Sequence, residues 1–384
     1  MTTRRDFLRF AGAGAGLLAG PGYVFASAAT QRRFVFIIQR GAADALDTLV
    51  PYADPAYARL RGPIAVDAST ALKLDGQFAL HPALTETAWL YAQKQALLVH
   101  AVASSYRDRS HFDGQNVLET GGARPYALKD GWLARLVALL PDGAALPVAI
   151  SPTVPLALRG AARVGSYAPS ALPRAGEDLL QRVASLYAGD EQLHASWSAA
   201  MQARAMAGTP LRRNPAELGE LAARFLSQPS GPRIAMLETE GWDTHSAQAQ
   251  RHAAGMRRLD AMLAALRAGL GPAWEDTVVL VATEFGRTVA ANGTGGTDHG
   301  TASVALLLGG AVRGGRMLGD WPGLEPAALY QGRDLQPTTS LASVIAGATG
   351  ECYGLDPQRV ARALFPQAGR ERVLAGLVAR ATVG

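Results

Sequence analysis

Thr277-Val-Val-Leu-Val-Ala-Thr283, followed at once by Glu284-Phe285-Gly286-Arg287-Thr288, decides the fold of this chain. A short, continuously apolar and β-branched run reads as a strand buried on both faces, which is the habit of parallel sheets covered by helices. The switch from apolar to acidic and basic residues at Glu284 marks the strand's carboxyl end, where open α/β sheets place their ligands.

Working outward, five more runs share this character: Arg33–Gln39, Leu97–Val102, Pro147–Ser151, Arg233–Glu238 and Ser303–Leu308. Helical stretches separate them. In Ser246–Leu270, Met256, Leu259, Leu263, Leu266 and Leu270 recur at spacings of three and four, giving one apolar stripe that Gly271-Pro272 ends. Strands alternating with helices predict an α/β protein, a large three-layer α/β/α sandwich on a mostly parallel sheet. Residues from about 152 to 229 are rich in Ala, Leu and Arg and read as a helical insertion. Residues 337–380 read as two or three closing helices.

Composition excludes several functions. The 384 residues are 48% hydrophobic and 18% charged, a globular balance with enough chain for a real core. The net charge is +5, with lysine only at Lys73, Lys94 and Lys129. Charges of both signs are mixed and no basic block exists, so nucleic acid is not an expected partner. The single cysteine, Cys352, rules out an internal disulfide and a zinc site built on several thiolates.

Residues 1–28 read as an address. Thr3-Arg4-Arg5-Asp6-Phe7-Leu8-Arg9 precedes a weakly apolar run, Phe10–Gly20, and Ala26-Ser27-Ala28 offers a cleavage site. The arginine pair with Phe-Leu resembles the bacterial twin-arginine signal. It implies the twin-arginine translocase as a partner, export of an already folded chain, and a periplasmic or secreted product. The run is too short and glycine-rich for a stable membrane anchor. Gly12-Ala13-Gly14-Ala15-Gly16 follows no strand and lacks the dinucleotide-loop spacing.

Chemistry should gather where polar residues follow strands. Asp44 comes after the first strand, Asp243 and His245 after the fourth, Glu284 after the Thr277 strand, and Asp298-His299 before the Ser303 strand. Carboxylates and imidazoles without thiolates suit zinc, manganese or calcium, as one or two ions. Each residue also has a plainer explanation. Asp243 or Ser246 could cap the following helix. Glu284 and Arg287 could be a simple ion pair. Asp298 could close an Asx turn. His252 falls on the apolar stripe and reads as a packed residue. A further stretch, Tyr106 to Gly122, follows the second strand. There Ser110 could cap a helix that Gly121 ends, or Ser110 and His111 could act chemically with Arg107 and Arg109 on an anion.

Taken in order, Arg109-Ser110-His111-Phe112, Glu119-Thr120-Gly121, Gly241-Trp242-Asp243-Thr244-His245, Thr283-Glu284-Phe285-Gly286-Arg287-Thr288 and Gly296-Thr297-Asp298-His299-Gly300 resemble a bacterial twin-arginine-exported family, domain of unknown function 1501. That family is grouped with the alkaline phosphatase and sulfatase superfamily, and the match runs from about Arg33 to Arg380. The resemblance implies an alkaline phosphatase-like sandwich with metal at the strand ends. It implies Asp44, Asp243, His245, Glu284, Asp298 and His299 as ligands, and Ser110 as nucleophile with His111, Arg109 and Arg287 beside it. Phe285 stands where phosphatases carry a histidine, and no formylglycine-maturation sequence is present. The expected function is a periplasmic metal-dependent hydrolase of phosphate or sulfate esters, acting on an anionic small molecule or glycan ester. The alternative is a non-catalytic exported binding or assembly protein on a degenerate hydrolase fold.

Overall fold

The first strand, β1 (Arg33–Gln39), sends Phe34, Phe36 and Ile38 into one hydrophobic core and Val35 and Ile37 into another. This two-sided burial follows from the period of two along a strand. It requires a helical layer on each face, which the computed structural model provides. The structure describes residues 31–141, 146–161, 163–169, 176–207, 214–368 and 372–379. The expected export signal at 1–28 lies outside the described residues.

The strands after β1 are β2 (Leu49–Val50), β3 (Leu72–Lys73), β4 (Ala79–Leu80), β5 (Ala96–Ala103), β6 (Pro147–Ala149), β7 (Gly165–Ser166), β8 (Ile234–Thr239), β9 (Thr277–Ala282), β10 (Ser303–Leu308), β11 (Arg316–Leu318) and β12 (Thr339–Ser340). The α-helices are α1 (Ala45–Thr48), α2 (Tyr57–Arg61), α3 (Thr85–Ala92), α4 (His111–Thr120), α5 (Trp132–Leu139), α6 (Glu177–Tyr187), α7 (Glu191–Ala207), α8 (Pro215–Ser227), α9 (Gln248–Leu270), α10 (Leu341–Tyr353) and α11 (Pro357–Leu364).

Nine strands form one sheet in the order β11-β5-β10-β9-β1-β8-β6-β7, with β12 also on β5. Among the described strands of this sheet only β10 runs antiparallel, against both β5 and β9. The fold is therefore the mostly parallel α/β sandwich expected from the alternating runs. A small antiparallel sheet, β2-β4-β3, is an addition that two-residue strands do not announce in sequence.

One face of the main sheet is covered by α3, α8 and α9, the other by α5, α10 and α11. The apolar stripe of α9 lands as its spacing predicts, with Met256, Leu259, Leu263 and Leu266 fully buried. Gly219 of α8 lets that helix approach closely, since a Cβ there would stand 2.3 Å from the Met262 carbonyl oxygen. Among the described residues the closing segment holds two helices, α10 and α11.

The single reversed strand has a consequence for function. Carboxyl ends of β1, β8 and β9 meet at one edge, and because β10 is reversed its amino end joins them. The loop ahead of β10, which carries Asp298 and His299, therefore faces the loops that carry Asp243 and Glu284.

Removing the Leu263 side chain tests the α9 seam. Leu263→Ala should destabilise the protein by about 2–5 kcal/mol in urea unfolding. A loss below about 1 kcal/mol would show that α9 does not close this core.

Candidate metal centre

Gly41 is the first requirement of the site. Its φ is +116°, and a Cβ there would lie 2.6 Å from the Asp243 amide nitrogen. A side chain would push the β8 loop away and move Asp243 with it. The Gly41 N–H also donates to Glu284 Oε1 at 2.9 Å, tying the β1 loop to the end of β9.

Three imidazoles meet at this edge. His111 is the first residue of α4, His245 follows β8, and His299 precedes β10. Each has Nδ1 against an acceptor. His111 Nδ1 stands 2.8 Å from Glu284 Oε1, His245 Nδ1 3.1 Å from Asp298 Oδ1, and His299 Nδ1 2.8 Å from the Arg109 carbonyl. With the hydrogen on Nδ1 toward these acceptors, each Nε2 presents a lone pair, the tautomer that a metal ligand needs.

Those lone pairs converge. His245 Nε2 is 3.0 Å from His299 Nε2, and the two are 3.0 and 3.3 Å from Asp243 Oδ1. His111 Nε2 is buried, makes no hydrogen bond and stands 3.4 Å from Asp243 Oδ2. Ligand atoms of His111, Asp243 and His299 all lie within 4.8 Å of one another. Donors around a four-coordinate zinc at ~2.0–2.1 Å must themselves stand roughly 3.3 Å apart. In the Nδ1-protonated tautomer, lone pairs this close repel one another, and a cation between them relieves the repulsion. With neutral imidazoles, Asp243, Glu284 and Asp298 against Arg287 leave a formal charge of −2, the complement of a divalent ion. The donor set fits a metal.

Ionisation follows the same geometry. Burial would raise the Asp243 carboxyl, but Arg287, His111 and His245 hold it below the ordinary value. Burial would likewise raise Glu284, and the bonds from His111, Gln115 and Gly41 bring it down. The bond to Glu284 raises His111 against the effect of burial, while burial lowers His299. Asp298 is lowered chiefly by the bond from Asn292.

Sequence candidates sort into distinct roles. Asp243, His245 and His299 are brought together. Asp243 does not cap α9, whose first turn has no side-chain cap. His111, expected as a catalytic group, stands with these three, its Nε2 3.4 Å from Asp243 Oδ2. Glu284 and Asp298, expected as ligands, lie behind His111 and His245 at their Nδ1 atoms. Nor do Glu284 and Arg287 form the simple pair. Arg287 Nη1 donates to Asp243 Oδ1 at 2.6 Å.

Asp44 is corrected most clearly. One carboxylate oxygen caps α1 by accepting from Leu46 N and Asp47 N, and the other accepts from Arg61 at 2.5 Å and Gln248 at 2.7 Å. Both oxygens are committed to protein donors, and the Arg61 guanidinium is the cation that Asp44 faces. Arg109 Nε donates to Asp334 at 2.9 Å, and Arg287 serves Asp243, so neither guanidinium is posed for a substrate anion. Ser110 occupies the N-cap position of α4 with extended backbone, but its side chain makes no cap bond. Phe285 is a wall: its buried ring stacks under His111 at 5.1 Å and packs on His299 at 5.4 Å.

Sequence reasoning missed Arg61, Gln248, Thr297 and Gln115. Gln115 and Gln248 stand at helix positions that look like ordinary surface glutamines. Thr297 stands beside Asp298, which draws the eye to the carboxylate.

The chain belongs to the family described as "Protein of unknown function (DUF1501)", which matches residues 31–365. No curated protein matches it in sequence. Among solved structures it is similar to the C-terminal periplasmic domain of EcEptC from Escherichia coli, in complex with zinc (8% identity, 73% of each chain, TM-score 0.39). It is similar to the alkaline phosphatase of the Antarctic bacterium TAB5 (10% identity, 88% of this chain and 100% of that one, TM-score 0.37). It is also similar to a protein of the alkaline phosphatase superfamily from Vibrio parahaemolyticus (11% identity, 80% and 69%, TM-score 0.33). Among the described residues no helix is long and apolar enough to cross a membrane.

Replacing Arg61 tests the buried charge behind the site. Arg61→Leu strands Asp44 and Asp47 and should cost about 3–5 kcal/mol at neutral pH. Burial would raise the Asp44 carboxyl, yet Arg61 holds it below its ordinary value. Its contribution is therefore fully present above about pH 3.9 and lost as the pH falls through its lower folded-state value. The penalty of Arg61→Leu should shrink in urea melts below about pH 4. A penalty that stays constant on acidification would contradict this account.

Proposed function

We propose that this chain is an exported, metal-dependent hydrolase of phosphate or sulfate esters. The observation that carries the reading is the convergence of ligand atoms of His111, Asp243 and His299, with His245 Nε2 3.0 Å from both His299 Nε2 and Asp243 Oδ1 and an acceptor at each Nδ1. Such backing of ligand histidines is the ordinary arrangement of metal sites. The motifs that resemble the alkaline phosphatase and sulfatase superfamily favour esters among the substrates of such a centre.

His111, Asp243, His245 and His299 would hold zinc, manganese or calcium. When bound, the divalent ion supplies Lewis acidity to an ester oxygen. Glu284 and Asp298 keep the Nδ1 protons of His111 and His245 in place. Arg287 keeps Asp243 ionised and aimed. The Asp243 and His245 side chains are 42% and 46% exposed, so an anionic small-molecule or glycan ester can reach the centre from solvent. Ser110, next to His111 and not used as a cap, is the nucleophile in this reading. The signal at residues 1–28 would engage the twin-arginine translocase and place the folded protein in the periplasm or outside the cell.

The test uses protein lacking residues 1–28, reconstituted with each metal and assayed on aryl phosphate and aryl sulfate. Near-stoichiometric metal and turnover are expected. His299→Ala should lose both, and Ser110→Ala should keep the metal and lose at least about 100-fold in rate. A folded protein that binds no metal overturns the reading. Metal retention with no turnover of either ester class would favour the binding-protein alternative.

A further inference from the structure

We propose that Gln248 and Thr297 are positioning residues that set the metal affinity of the centre, although neither belongs to it. The inference rests on the metal-centre reading above. Its basis is a hydrogen-bond chain in which the direction of every link is fixed.

The chain starts at Asp44 and Asp47, which only accept. Gln248 Nε2 donates to Asp44 Oδ2 at 2.7 Å and to Asp47 Oδ2 at 2.8 Å. A flipped amide would set its oxygen against two carboxylates, so the orientation is determined. Gln248 Oε1 therefore faces the other way and accepts from Thr297 Oγ1 at 2.6 Å and from Thr244 Oγ1 at 3.0 Å. Thr297 has one hydroxyl hydrogen. Asp44 Oδ2 is also in range, but at 3.4 Å against 2.6 Å the hydrogen goes to Gln248. The Thr297 oxygen is then left as an acceptor, and Arg287 Nε donates to it at 3.1 Å. A second Arg287 nitrogen donates to the Thr297 carbonyl, so residue 297 grips the guanidinium twice. The remaining arm of Arg287 donates to Asp243 Oδ1.

Asp44, Asp47, Thr244, Gln248, Thr297 and Arg287 are all buried. Water cannot substitute for a missing link, so a lost donor leaves a neighbour unsatisfied. The half-exposed Asp243 carboxylate is thereby held by a rigid interior rather than by its own loop. Outer groups of this kind typically change metal affinity by about 10–100-fold when removed.

Zinc affinity by chelator competition, beside thermal melting, tests the proposal on the chain lacking residues 1–28. Thr297→Val keeps the shape and loses the hydroxyl. It should weaken zinc binding by about 10–100-fold. Thr297→Ser restores the hydroxyl and should bind within about threefold of wild type. Gln248→Met gives a second break in the same chain, should one valine variant fail to fold. The double variant should bind no more weakly than the weaker single, because both cut one path. Folded Thr297→Val or Gln248→Met protein with wild-type affinity overturns the proposal. So do serine and valine variants that are equally impaired. Wild-type protein that binds no zinc overturns the metal-centre reading itself, and this inference with it.

Discussion

The hydrogen bond at each Nδ1 is the interaction on which the centre depends. An imidazole can rotate and exchange tautomers, and three of them placed side by side would normally point apart. Glu284, Asp298 and the Arg109 carbonyl hold each ring by its Nδ1 edge and fix its orientation. Once Nδ1 is spoken for, Nε2 of each ring is left turned toward Asp243. The three acceptors come from the end of β9, the loop before β10 and the turn before α4. The centre therefore exists only when these segments meet, and the reversed β10 is what brings the second of them to the parallel strand ends.

Charge is arranged in two tiers behind that edge. The inner tier, Asp44 and Asp47 with Arg61, is fully buried and keeps a formal charge of −1, which the donors around it hold. Burying such groups costs stability unless every donor and acceptor is used, and the capping N–H groups of α1, Gln248 and Arg61 satisfy Asp44. The outer tier, Asp243, Glu284 and Asp298 with Arg287, is left with excess negative charge among neutral imidazoles. That contrast separates a structural cluster from a cation site. Asp44, an acidic residue after the first strand, has both oxygens taken by protein donors of the inner tier.

Much of the fold was legible in the sequence. Apolar runs at 33–39, 277–283 and 303–308 announce their strands because both faces of each are buried, and the α9 stripe announces its partner layer. Two-residue strands and the reversal of β10 carry no local signal, since pairing direction is decided by what packs where. The site was half legible. Acidic and imidazole residues at strand ends mark the place where Asp243, His245 and His299 meet. The division into ligands and backing groups was not legible. Glu284, expected as a ligand, sits behind the His111 ring, and His111, expected as a catalytic group, turns its Nε2 toward Asp243, because one hydrogen bond that is invisible in sequence orients the ring. Arg109 and Arg287 were expected at an anion, and the guanidinium partners that claim them, Asp334 and Asp243, lie far away in the chain.

X-ray absorption at the zinc edge of the zinc-loaded protein tests the central claim most directly. Three imidazole nitrogens and a carboxylate oxygen, with no sulfur, are predicted, and the imidazole signal should fall by one ring in each of His111→Ala, His245→Ala and His299→Ala. A spectrum with fewer than two imidazoles, or one that these substitutions leave unchanged, would contradict the account.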